Sequence, residues 1–268
     1  MSLLPFNVTS FDHVQIHVTP LKSSSSTHKP VVFLHALAMS AAMWKEFAAH
    51  LQIDAPMYGI DLRGHGQSER AKGPFATEQF AKDVLSVIDH LKIDQVNLVG
   101  CSMGGTVAMA FAGHYPNRVQ SLSLIDTTAC YGADAKESWE KRGQQGVTQG
   151  LTSLLGFQVE RWFSTSYAEQ NPSVVKFYQD IFVKNEPACY LETCRMLGEA
   201  DERAHLVNYK GPCSVVVGEE DYATPVAMAE EIKSILPQAT LTVLKAVRHY
   251  APIQAPGEVA ACISPAMS

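Results

Sequence analysis

Residues 96–105 read VNLVGCSMGG, and no other stretch limits the possible folds so tightly. The run Val96-Asn97-Leu98-Val99 reads as a strand buried on both faces. It leads without a spacer into Gly100-Cys101-Ser102-Met103-Gly104, and then into an apolar, small-residue helical pattern from Thr106 to Ala112. A strand joined to a helix through G-x-S-x-G makes a turn so sharp that the serine backbone is strained. Glycines two residues to either side let strand and helix approach without side-chain clash. Ser102 would then project from the end of a sheet at a helix N-terminus, a position that favours developing negative charge. Alone the motif is a weak signal. In this context it marks a nucleophile, provided that a base and an acid follow.

The rest of the chain alternates strand and helix patterns around one long exception. Val14 to Val18 alternates like a strand with one wet face, and Ser23-Ser24-Ser25-Ser26 reads as a solvated loop. Val31 to Leu34 and Met57 to Asp61 read as further strands. A helix is predicted from Thr77, as N-cap, through Phe80, Val84, Leu85, Ile88 and Leu91. Val119 to Ile125 is another apolar strand. From about 128 to 208 no buried strand is visible. Helical pieces appear at Val147–Leu155, Val159–Phe163 and Val174–Phe182, among the breakers Gly132, Gly143, Gly146, Gly156, Pro172 and Pro187. Alternation resumes with Cys213–Gly218, Val226–Leu236 and Thr240–Leu244. The pattern predicts a doubly wound, mostly parallel sheet formed by 1–127 and 209–268, with a helical cap, 128–208, over the carboxyl ends of the strands.

Two further residues complete a constellation. Asp221 follows the strand ending at Gly218, and His249 follows the strand ending at Leu244. Ser102, Asp221 and His249 each sit just past a strand's carboxyl end, so all three can converge on one rim. His249 would take the serine proton and return it to a leaving group, while Asp221 would hold the imidazole tautomer. Taken singly, each has a plainer reading, as a turn serine, a helix-capping aspartate or a surface histidine. Glu219, Glu220 and Asp126 compete with Asp221 as the acid. The oxyanion donors are expected to be the amides of Met103 and Leu37. His35 and the loop Asp61-Leu62-Arg63-Gly64-His65-Gly66-Gln67-Ser68 are read as structural braces.

Composition narrows the partners. The chain is 268 residues long, 46% hydrophobic and 18% charged, with a formal net charge of -6 spread along its length. There is no basic stripe for nucleic acid and no apolar run of membrane-spanning length. The start, Met1-Ser2-Leu3-Leu4-Pro5-Phe6, lacks the pattern of a leader, so a cytoplasmic location is expected. The six cysteines are scattered and read as reduced thiols, and the one close pair, Cys189 and Cys194, does not have zinc-site spacing. No metal is expected, and the partner is expected to be a small molecule bound by a monomer or homodimer.

The blocks VVFLHALAMSAAMW, DLRGHGQS, VNLVGCSMGG, VVVGEEDYATP and RHYAPIQAP resemble those of the α/β-hydrolase fold, whose triad runs in the chain order serine, acid, histidine. Within that superfamily the chain most resembles the 3-oxoadipate enol-lactonases, through Leu124-Ile125-Asp126-Thr127-Thr128-Ala129, Val159-Glu160-Arg161-Trp162-Phe163 and Ala223-Thr224-Pro225. The resemblance implies an eight-stranded sheet with the cap inserted after the sixth strand. It also implies cofactor-free opening of a carboxylated lactone through an acyl-enzyme. A carboxylate calls for a cation, and Arg142, Arg161 and Arg195 lie in the cap, although arginines on helices are usually exposed. Trp139 and Trp162 read as cap core or substrate wall. Ala36 stands where the family usually has glycine. Cys130 stands where a pocket-facing polar or basic residue is expected, and the stretch after His249 is short. A carboxylesterase or C–C bond hydrolase is the alternative, and a non-catalytic binding protein of this fold the third reading.

Overall fold

The structure, a computed structural model, describes residues 4–267; Met1-Ser2-Leu3 of the stretch read for a leader lie outside the described residues. The strands are β1 Phe6–Thr9, β2 Gln15–Lys22, β3 Val31–Leu34, β4 Met57–Ile60, β5 Val96–Cys101, β6 Val119–Ile125, β7 Cys213–Gly218 and β8 Thr240–Leu244. They form one 8-stranded sheet in the order β1-β2-β4-β3-β5-β6-β7-β8. β2 runs antiparallel to β1 and β4, and every other pairing is parallel. Every residue of β3, β4, β5 and β7 is buried, as expected of parallel strands covered on both faces.

The first eight helices all lie between strands. They are α1 Phe47–His50, α2 Thr77–His90, α3 Met103–His114, α4 Ala135–Gln149, α5 Leu155–Trp162, α6 Thr165–Gln170, α7 Pro172–Val183 and α8 Pro187–Glu199. α9 Arg203–Leu206, α10 Val226–Ile235, α11 Ala251–Gln254 and α12 Pro256–Ile263 follow. Among the described residues no helix is long and apolar enough to cross a membrane. Thr77 is the first residue of α2 rather than its cap. Ala76 takes the cap position, and its N–H donates to the Gln79 side chain at 2.9 Å. α3 is buried from Met103 through Gly113, and of its residues His114 alone, at the far end, is exposed.

Between β6 and β7 the described residues hold α4–α9 and no strand. The expected helical piece Val147–Leu155 is not continuous. Gly150, at φ +79°, separates α4 from a 3-10 turn at Leu151–Leu154. Gly143 and Gly146, expected as breakers, lie inside α4. A Cβ on Gly143 would come within 2.6 Å of Leu191 Cδ1, and one on Gly146 within 3.1 Å of the Tyr190 ring. Their role is to let α8 lie close against α4. Pro172 and Pro187 likewise do not interrupt helices. They open α7 and α8, where the missing proline N–H has no intrahelical partner to lose.

Candidate active site

β5 delivers Ser102 into a conformation few residues adopt, φ +53° and ψ -121°. Its carbonyl accepts the Thr127 hydroxyl at 2.7 Å and its N–H donates to the Ile125 carbonyl at 2.9 Å. The flanking glycines are needed for space. A Cβ on Gly100 would stand 2.3 Å from the Gly104 carbonyl oxygen, and one on Gly104 would stand 2.1 Å from that of Leu34.

The Ser102 hydroxyl lies 2.8 Å from His249 Nε2, and His249 Nδ1 lies 2.8 Å from Asp221 Oδ2. Serine and histidine are buried to within a few per cent, and so is the aspartate. An ionised carboxylate can only accept, so Nδ1 carries the proton and Nε2 is left to accept from the serine. Asp221 also accepts from the Ala223 N–H at 2.7 Å, the Thr224 N–H at 3.0 Å and the Thr224 hydroxyl at 2.8 Å. Burial pushes this carboxyl up. The charge and hydrogen bond of His249, with the bonds from Thr224, outweigh burial and hold it below the usual carboxylate range.

The competing acids lie elsewhere. Glu219 and Glu220 are exposed, and Glu220 reaches Arg248 at 3.5 Å. Asp126 is fully buried and accepts from the Gly218 N–H at 2.9 Å and the Ala251 N–H at 2.8 Å. It thus ties together the loops that carry Asp221 and His249. Burial and the nearby charge of Asp221 push its carboxyl well up.

His249 is fixed from above as well. The last carbonyls of α5 have no partners within the helix, and the His249 loop supplies them. Tyr250 N–H donates to the Trp162 carbonyl at 3.0 Å, and Arg248 Nη1 to that of Glu160 at 2.7 Å. Trp162 stacks on Tyr250 with ring centroids 5.2 Å apart and planes 11° apart.

On the other side, Leu37 lines the same cavity as Ser102, and Met103 opens α3, so its N–H lacks a partner one turn back. His35 Nδ1 donates to the Ala36 carbonyl at 2.8 Å, and its Nε2 accepts from the Leu62 N–H at 2.9 Å. Burial pulls this imidazole down to about 4, so it is a neutral strut. The loop after β4 is similarly tied. Asp61 accepts from the Ala41 N–H at 2.6 Å and the Gln67 N–H at 2.7 Å, and Arg63 grips Asp83 through two bonds of 2.7 Å.

The cavity over Ser102 and His249 is small, about 30 Å³, enough for two or three waters if one needs roughly 10–15 Å³. Trp139, Arg142, Arg161 and Trp162 all line it. A second cavity of about 860 Å³ shares Tyr131, Trp139, Arg142, Arg161 and Ala223 with it, so these five residues form a neck. The Arg142 guanidinium lies 4.6 Å from the Trp139 ring centroid and donates to the Tyr190 hydroxyl at 2.9 Å. Arg161 lies over the Phe157 ring at 4.7 Å. Neither has a carboxylate partner among the described residues. Burial and the like charge of Arg142 both pull Arg161 down. Arg195, by contrast, pairs on the surface with Glu140 at 2.7 Å and Glu192 at 2.6 Å. Cys130 does not reach the inner cavity. Its neighbour Tyr131 does, together with Gln158 and Thr224, none of which stands out in the sequence as a site residue. Gln158 carries one signal, since it lies between Leu154 and Trp162 on the buried stripe of a helix. Burial pushes the Tyr131 phenol up to about 12, so it stays a donor.

The α/β hydrolase fold family model matches residues 29–256. The chain is 30% identical over 226 residues to 3-oxoadipate enol-lactonase 2 of Acinetobacter baylyi, spanning 84% of each chain. It is 28% identical over 218 residues to a pimeloyl-[acyl-carrier protein] methyl ester esterase of Vibrio vulnificus, covering 77% of this chain and 82% of that one. The crystal structure of the enol-lactonase from Burkholderia xenovorans LB400 superposes with a TM-score of 0.92 at 28% identity, covering 97% of this chain and 98% of that one. The eight-stranded sheet and the sharp turn at Ser102 agree with these matches, and the chain belongs to the α/β-hydrolase fold family.

Proposed function

We propose that the protein opens a small lactone carrying a free carboxylate, with 3-oxoadipate enol-lactone as the substrate. The observation that carries this reading is the pair Arg142 and Arg161, two cations without carboxylate partners among the described residues, at the neck above Ser102 and His249. Two like charges held close are costly unless an anion joins them. The similarity to enol-lactonases supports the same substrate.

In this reading Ser102 Oγ attacks the lactone carbonyl carbon and His249 Nε2 takes its proton. The new oxyanion is held by the amides of Met103 and Leu37. Collapse breaks the ring C–O bond, and the enolate oxygen takes the proton back from His249, giving an enol that becomes a ketone. Water, deprotonated by His249, then attacks the acyl carbon. The bond to Ser102 Oγ breaks and that oxygen takes the proton from His249, which releases 3-oxoadipate and restores Ser102. Asp221 keeps the imidazole oriented and remains ionised throughout.

The helices between β6 and β7, within 128–208, would act as a lid over the core formed by 1–127 and 209–268. A lactone would reach Ser102 from the larger cavity, past Tyr131 and Trp139, which line both.

The test is turnover of 3-oxoadipate enol-lactone, followed by loss of ultraviolet absorbance, beside p-nitrophenyl acetate. A kcat/KM for the lactone well above that for the neutral ester supports the reading. Brisk cleavage of neutral or methyl esters without lactone turnover would assign the site to a carboxylesterase instead.

A further inference from the structure

α3 carries Ser102 at one end and His114 at the other. With 12 residues at 1.5 Å per residue, the ends lie about 18 Å apart. At the far end α9 turns back against α3, so that His114 and His205 face each other with ring centroids 4.5 Å apart. Glu202 lies beside them. One ligand atom from each of His114, Glu202 and His205 falls within 4.8 Å of the other two.

The arrangement is built by packing. A Cβ on Gly113 would stand 2.7 Å from the His205 Cβ, so only glycine lets α9 approach this closely. Asn208 Nδ2 donates to the Gly113 carbonyl at 3.2 Å, and Glu202 N–H donates to the Ala129 carbonyl at 2.9 Å. The Glu202 side chain is only 3% exposed, yet among the described residues its carboxylate has one polar contact, a long one of 3.4 Å to His205 Nδ1. A buried carboxylate is expensive unless a cation or good donors meet it. The C-terminal end of α3, where His114 sits, adds partial negative charge.

We propose that His114, Glu202 and His205 bind a divalent transition metal. Two imidazoles and one carboxylate suit zinc, with cobalt and nickel as close alternatives, and leave one position for water. The hydrolytic reaction does not involve this site. The metal would join α9, where the chain returns toward β7, to the end of the helix that positions Ser102.

Isothermal titration of chelator-stripped, tag-free protein with Zn²⁺ tests this. One equivalent is expected to bind the wild type. His114→Ala and His205→Ala should each weaken binding by more than roughly 10- to 100-fold, the loss seen when merely an outer-shell partner is removed. His114 is exposed, so its replacement leaves the fold intact, and retained hydrolysis verifies this. Thermal unfolding should shift upward with Zn²⁺ in the wild type and not in His114→Ala. Absent binding in the wild type, or undiminished binding in both variants, would overturn the proposal.

Discussion

Ser102 is held at φ +53° by its neighbours rather than by preference, and the groups around it divide their work in a way that substitutions can separate. Asp221→Asn keeps the shape but presents an amide to His249 Nδ1, which disfavours the working tautomer. A loss of roughly 10⁴ in kcat is expected, as in the protease triad. Asp126→Asn instead loses one acceptor from a buried pair of backbone donors. That should cost about 1–3 kcal/mol of stability, read in denaturant, with a much smaller kcat loss than Asp221→Asn. The reverse ranking in kcat would make Asp126 the acid. Arg142→Ala and Arg161→Ala should each lower kcat/KM for the carboxylated lactone by roughly 10- to 100-fold, the worth of a hydrogen bond to a charged group, and leave p-nitrophenyl acetate nearly unchanged. Equal losses on both substrates would remove the arginines from carboxylate recognition. Ser102, Asp221 and His249 are legible in the sequence because each follows a strand whose end faces one rim. The arginines are not. Arg142 and Arg195 look alike as helix residues, and only packing places one between Trp139 and Tyr190 and the other beside Glu140 and Glu192.

Among the elements, β3, β4, β6, β7 and β8 are readable to within a residue, whereas β2 runs on to Lys22, four residues past its alternating stretch, and β5 runs through Gly100 and Cys101. β1 is not readable in this way: it is four residues long, with Val8 alone fully buried. The helices between β6 and β7 are harder to place, since glycine there serves packing as well as termination. Gly143 and Gly156 make the contrast testable. Gly143→Ala drives a methyl into Leu191 and should destabilise by about 1–3 kcal/mol, the usual cost of overpacking. At Gly156, in α5, an added methyl would meet no atom within 4 Å, so Gly156→Ala should stabilise by about 0.4–1 kcal/mol through the unfolded chain. Denaturant midpoints of the two variants check both signs. A tolerated Gly143→Ala would mean that α4 and α8 do not need their close approach.

For the molecule as a whole, two fully buried imidazoles set the behaviour in acid. Burial pulls His35 down to about 4, and burial together with His35 pulls His65 down to about 3. Both stay neutral in the fold, while the unfolded chain takes up protons near 6.5, so stability is present at neutral pH and falls as pH drops below about 6.5. For His35 alone the loss by pH 4 is up to about 3 kcal/mol. Asp221, held below the usual range, adds a loss at still lower pH, as its carboxylate protonates. Asp126 acts oppositely, since the fold disfavours its ionised form. Unfolding free energies between pH 7 and 4 should therefore decline, and a flat profile would contradict the neutral struts. If all hydrolysis passes through one serine on this rim, the decisive protein is Ser102→Ala, assayed with 3-oxoadipate enol-lactone. Its kcat should fall by roughly 10⁶, the scale for loss of a triad nucleophile; turnover at the wild-type rate would show that Ser102 is not the nucleophile.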